Sequence, residues 1–128
     1  MKATRTPSLL HSFHNAFNGL RYALQTQRNA RIHLTATLLV LGMGLWLGLS
    51  LVEWCLIILS IGMVWMAELS NTVLENVVDL LSPEYHALAK TAKDVKAGVV
   101  VVASISAVLV GILVLGPDLL LRVQTLLR

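Results

Sequence analysis

The chain has 128 residues, 56% of them apolar, with ten Lys and Arg against seven Asp and Glu, a formal net charge of +3, and one cysteine, Cys55. That length holds a single domain, and one cysteine excludes an intramolecular disulfide. The distribution argues against a water-soluble core: Leu34 to Val52 is 19 residues without a charge, and Ala97 to Gly116 is another 20.

Residues 1 to 7 are polar with a proline and read as a short disordered lead. Leu9, Phe13, Ala16, Phe17, Leu20 and Leu24 then recur at three- and four-residue steps opposite His11, Asn15, Asn18 and Arg21. The spacing predicts an amphipathic helix over 8–26, too short and too polar to span, resting on the membrane surface with its aromatics at the acyl boundary. The alternative is a helix packed on a soluble partner. Gln25 to His33 joins it to the first span; Arg28 and Arg31 there suit lipid phosphates or simply the charge rule.

Three membrane-spanning helices are expected, within 33–52, 53–81 and 84–116: the first and last apolar runs are long enough to cross ~30 Å at about 1.5 Å per residue, and Leu51 to Ala67, broken only by Glu53, is the third candidate. Gly44 with Gly48, and Ala103 with Ala107 and Gly111, offer small-residue faces for close helix packing. Ser50 and Glu53 fall at the turn between the first two spans, where Glu53 reads as a solvated charge. Cys55 reads as a packing residue. Gly116-Pro117-Asp118 is expected to end the third span, leaving 119–128 as an amphipathic tail. The basic segment before the first span, with Lys2, Arg5, Arg21, Arg28 and Arg31 and no acid, predicts a cytoplasmic N-terminus in a multi-pass protein of the cytoplasmic membrane. The first apolar run starts too late for a cleaved signal, so the sequence is expected to be retained whole.

Residues 68 to 96 hold five of the seven acidic residues. At ~100° per residue, Glu68, Asn71, Thr72, Glu75 and Asp79 fall within about 100° of arc, a stripe of carboxylates, amide and hydroxyl along one helix. Glu68 follows directly on an apolar run, where an ionisable group is expensive and is usually functional; loss of hydration there suits a general base. Glu75 lies two turns on, ~10 Å along the axis, at a depth where hydrated magnesium and phosphates can sit. Ser82 reads as an N-cap and Pro83 as the first residue of the next helix, which carries Lys90, Lys93 and Asp94. No glycine-rich phosphate loop or protein-kinase signature is present, so a nucleotide would be held by helical side chains and metal. The plain alternative is a solvated acidic face whose Asn71 glues helices together.

Glu68-Leu-Ser-Asn71-Thr-Val-Leu-Glu75-Asn-Val-Val-Asp79, then Glu84-Tyr85-His86, Ala89-Lys90 and Ala92-Lys93-Asp94, closely resemble the signature of the prokaryotic diacylglycerol kinase family, which includes undecaprenol kinases. The resemblance extends to 12–20 and to Arg28-Asn29-Ala30-Arg31-Ile32-His33. It implies an all-α integral membrane enzyme, a surface helix plus three spans in a homotrimer with shared active sites, moving the γ-phosphate of ATP to the hydroxyl of a membrane lipid. Glu68 would take the hydroxyl proton, with Asn71 and Asp79 on the substrate side. Glu75 would hold Mg2+ between the β- and γ-phosphates, and Glu84, Tyr85, His86, Lys93 and Asp94 would serve the nucleotide. Family members commonly carry a second metal-binding Glu where this chain has Gln27, whose carbonyl can bind magnesium without adding charge. Nucleic acid is not an expected partner. Two further readings stay open: a non-catalytic small membrane protein using the stripe as a cation site, and an inactive member that keeps the fold.

Overall fold

The computed structural model describes residues 8–84 and 86–127, which form four helices: α1 (Leu9–Thr26), α2 (Arg28–Leu47), α3 (Leu51–Leu81) and α4 (Ala87–Leu126). The last three are long and apolar enough to cross a membrane. Most interhelical contact is between α3 and α4, with α2 laid against both and α1 touching α2 and α3.

Ser8 caps α1 by accepting from the His11 amide at 3.3 Å. The helix presents Leu9, Phe13 and Phe17 outward and buries only Ala23. Gln27 alone separates α1 from α2, in an extended conformation that lets the chain turn between two helices. The expected linker over 25–33 is therefore mostly helix: Arg28 to His33 form the first turns of α2, steadied by Arg31 Nη1 donating to the Gln25 carbonyl at 3.3 Å.

The turn between α2 and α3 falls at Gly48 to Ser50, earlier than the expected boundary at 52–53. Gly48 stops α2 in the left-handed region at φ 77°, where L side chains are strained, and its amide donates to the Gly44 carbonyl. Gly48 is thus a terminator rather than half of a packing pair. Gly44 does pack: a Cβ there would meet the Trp54 ring at 2.9 Å. Glu53, expected as a solvated charge, closes a reciprocal capping box, accepting from the Ser50 amide and hydroxyl at 2.7 and 2.6 Å.

Two corrections concern α4. Its N-cap is His86, whose Nδ1 accepts from the Leu88 amide at 3.2 Å; Ser82 instead caps the C-terminus of α3. At its other end α4 runs through Pro117 to Leu126. A proline removes one amide donor, and neighbouring helices let spanning helices tolerate that loss. Here Arg122, over the Trp46 ring at 5.9 Å, donates to the Trp46 carbonyl at 3.2 Å and ties the continued helix to α2.

Two small apolar clusters hold the bundle. Leu49, Ile57, Val114 and Leu115 pack at the end near the α2–α3 turn. Val64, Ala67, Val100 and Ala103 pack nearer Glu68, with Ala107 beside them, so Ala103 and Ala107 do form a packing face. Cys55, expected to pack, is exposed in the single chain.

Candidate functional site

The stripe on α3 turns toward α4 and α2, and its burial falls along its length. Glu68 is 0% exposed, Asn71 and Thr72 are buried, Glu75 is partly buried and Asp79 is exposed. Thr72 donates to the Glu68 carbonyl oxygen at 3.1 Å, the usual use of a hydroxyl within a helix.

α4 answers the stripe with two lysines three residues apart. Lys96, 8% exposed, donates to Asn71 Oδ1 at 3.1 Å and pairs with Glu75 Oε2 at 3.3 Å. Lys93 pairs with Asp79 farther out, both partly open to solvent. Lys93 precedes the apolar run that begins at Ala97 and so lies outside the spanning part of α4; its hydrogen bond to Asp79 raises its pKa above the usual lysine value.

Glu68 stands apart. Neither carboxylate oxygen has a hydrogen-bond partner, an expensive state for a buried acid. His33 of α2 approaches it, Nε2 lying 3.8 Å from Oε2. His33, Glu68 and Lys96 each border an apolar run, and the fold brings all three borders to one level.

The predicted residues fall into two groups. Glu68, Asn71 and Glu75 gather at that level around Lys96. Asp79, Glu84, His86 and Lys93 line a polar cleft of about 540 Å³ where the α3–α4 loop folds over the two helices, together with Lys90. Asp79 thus keeps company with the residues given to the nucleotide rather than with Glu68. Asp94 is exposed and lines neither region. Tyr85 lies outside the described residues. Gln27 sits at the α1–α2 junction with no side-chain capping bond. On α1, Tyr22 donates to Asn76 Oδ1 of α3 at 3.4 Å, which ties α1 to α3 next to Glu75 in the sequence.

Lys96 and His33 are the residues the sequence reading left without a site role. The signal existed: each is an ionisable group at the edge of an apolar run, the same argument that singled out Glu68. Among the described residues no group of three or more metal-ligating side chains is assembled. Glu75 still suits a magnesium ion that brings its own phosphate ligands, because such ions commonly use one or two carboxylates and keep several waters. It is partly open to solvent, and one oxygen is committed to Lys96.

An apolar cavity of about 220 Å³ lies between α2, α3 and α4, with His33 and Val64 at its Glu68 end and Gly111 at the other.

Residues 14–115 match the family model described as prokaryotic diacylglycerol kinase. Among curated proteins, the chain is 40% identical over 108 residues to the undecaprenol kinase of Bacillus subtilis strain 168, covering 84% of this chain and 88% of that one. It is 45% identical over 115 residues to the diacylglycerol kinase of Synechocystis sp., covering 89% of this chain and 66% of that protein. Identity to the diacylglycerol kinase of Escherichia coli K12 is 34% over 94 residues, 73% of this chain and 77% of that one.

Proposed function

The chain belongs to the prokaryotic diacylglycerol kinase family, whose members are lipid kinases, and on that premise we propose that it phosphorylates a membrane lipid hydroxyl, of diacylglycerol or undecaprenol, using ATP and Mg2+ at the cytoplasmic face. The observation that carries the reading is Glu68, a fully buried carboxylate with both oxygens uncommitted, beside a lysine-neutralised stripe. A structural acid would be paired; an acid left unpaired at the edge of an apolar run is placed to receive a proton.

Glu68 takes the proton of the lipid hydroxyl as its oxygen attacks the γ-phosphorus. Asn71, held by Lys96, fixes the polar side of that position. Glu75, with Gln27 as a neutral second donor, would hold magnesium, which supplies neutralisation of the β- and γ-phosphate charge. Lys93, oriented by Asp79, faces the cleft where Glu84 and His86 would meet the nucleotide, with Tyr85 and Asp94 assigned there by family resemblance. The apolar cavity beside His33 suits a hydrocarbon acceptor. N-terminus in the cytoplasm, the chain works as a subunit of a homotrimer, with α1 at the membrane surface.

The simple cation-site reading gives Lys93 no task beyond its pair with Asp79, whereas a nucleotide phosphate in the cleft it lines would use it. The test is transfer of labelled γ-phosphate from ATP to undecaprenol and to diacylglycerol in mixed micelles, with and without Mg2+. Glu68→Gln should lose activity by at least about 100-fold while keeping its fold. A wild type that labels neither lipid would overturn the proposal.

A further inference from the structure

A buried base that gains a proton in every turnover must also lose it. Glu68 has no solvent exposure and no hydrogen-bond partner. Lys96, at the same level, is already committed as a donor to Asn71 and Glu75. His33 is different. Its Nε2 is 3.8 Å from Glu68 Oε2, its side chain is 16% exposed, and it lines the apolar cavity. It therefore borders both Glu68 and the space outside the helix contact. The separation exceeds a hydrogen bond, and such pairs commonly tighten when substrate is bound.

We propose that His33 is the proton outlet of Glu68, clearing the base after each phosphoryl transfer. The inference rests on Glu68 being the base. In the transfer, the lipid O–H bond breaks and its proton goes to Glu68. The lipid oxygen bonds to the γ-phosphorus, and the bond from that phosphorus to the β–γ bridging oxygen breaks, its electron pair leaving on ADP. The proton then passes from the Glu68 carboxyl to neutral Nε2 of His33, giving an imidazolium beside a regenerated carboxylate, and finally to water. One proton is released and nothing is oxidised or reduced. His33 touches neither the phosphate nor the reacting hydroxyl in this scheme; it acts through Glu68.

An outlet of this kind needs an imidazole nitrogen free to take a proton, so the pH profile of turnover reports on it. The charged and titratable groups around the pair are Glu68 and Glu75 from α3 and Lys96 from α4. From α1, Tyr22 reaches Asn76, farther along α3.

The experiment follows kcat and KM for the full chain in mixed micelles, with the lipid the wild type accepts, from about pH 5.5 to 8.5. Wild type, His33→Gln and Glu68→Gln are compared, each with and without free imidazole. The expected result is an acid limb in wild-type kcat. In His33→Gln, kcat drops about 100-fold with KM for both substrates nearly unchanged, the acid limb disappears, and imidazole restores part of the rate. The neighbouring cavity, about 220 Å³, has room for imidazole. A wild type with flat kcat over this range overturns the outlet without recourse to any variant. So does a His33→Gln protein with wild-type kcat, or one whose defect lies in KM or resists imidazole. A fully active Glu68→Gln would instead overturn the base itself, and a wild type inert on both lipids the kinase reading.

Discussion

Replacing Lys96 by Met removes the one lysine buried among the described residues while leaving most of its aliphatic volume in place. The loss can be apportioned from its contacts. Asn71 Oδ1 is buried and loses its donor at 3.1 Å, worth about 1–3 kcal/mol for an acceptor left unsatisfied. Glu75 loses a cation at 3.3 Å, but its side chain is 35% exposed and can rehydrate, so its share is about 1 kcal/mol or less. Together these give about 1–4 kcal/mol. Polar contacts between spanning helices average only about 0.6 kcal/mol, so a loss of 2 or more marks a buried group stranded without its partner, not merely a bond removed. Lys93→Met is the internal control. Its pair with Asp79 is open to solvent on both sides and should contribute far less. Denaturant titration of helicity in micelles, run on both variants, checks the comparison. Equal losses, or a Lys96→Met loss below about 1 kcal/mol, would refute the claim that burial makes these two lysines different.

Gly44→Ala drives a Cβ to 2.9 Å from the Trp54 ring and should destabilise by about 1–3 kcal/mol, whereas Gly42→Ala meets open space and should be neutral or slightly stabilising in the same titration. Ser50→Ala opens the capping box at the start of α3 and should lower stability by about 1 kcal/mol, with little effect on the apparent affinity for ATP. Gln27→Glu adds a charged oxygen at the α1–α2 junction and should lower the magnesium concentration giving half-maximal rate, read from a metal titration at fixed ATP.

The apolar runs and the carboxylate stripe could be read without coordinates because both are periodic, and periodicity survives in one dimension. That Glu68, Asn71, Thr72 and Glu75 share one side of α3 follows from the period; that this side turns inward comes from the cost of an ionisable group beside an apolar run. What the sequence hid depends on partners far along the chain. Lys96 meets Asn71 across 25 residues, and His33 meets Glu68 across 35, so neither pairing leaves a local trace. The helix ends misled for another reason. Ser82-Pro83 is a fair N-terminal signal, yet Ser82 was taken up by the end of α3 and His86 inherited the cap. Pro117 is a breaker in water, but packing against α2 carries α4 past it.

That continued α4 works as a ruler. Lys96 and Arg122 are 26 residues apart, about 39 Å along a straight helix, close to the full width of a bilayer with its headgroups. Each mark is fastened sideways, Lys96 to the α3 stripe and Arg122 to the backbone and ring of Trp46 on α2. A helix pinned at both margins cannot slide along its own axis without breaking one fastening. The level of Glu68 is thereby gauged from the far end of the bundle, so shortening the helix near Arg122 would alter the depth of the proposed base, although nothing near that carboxylate had been touched.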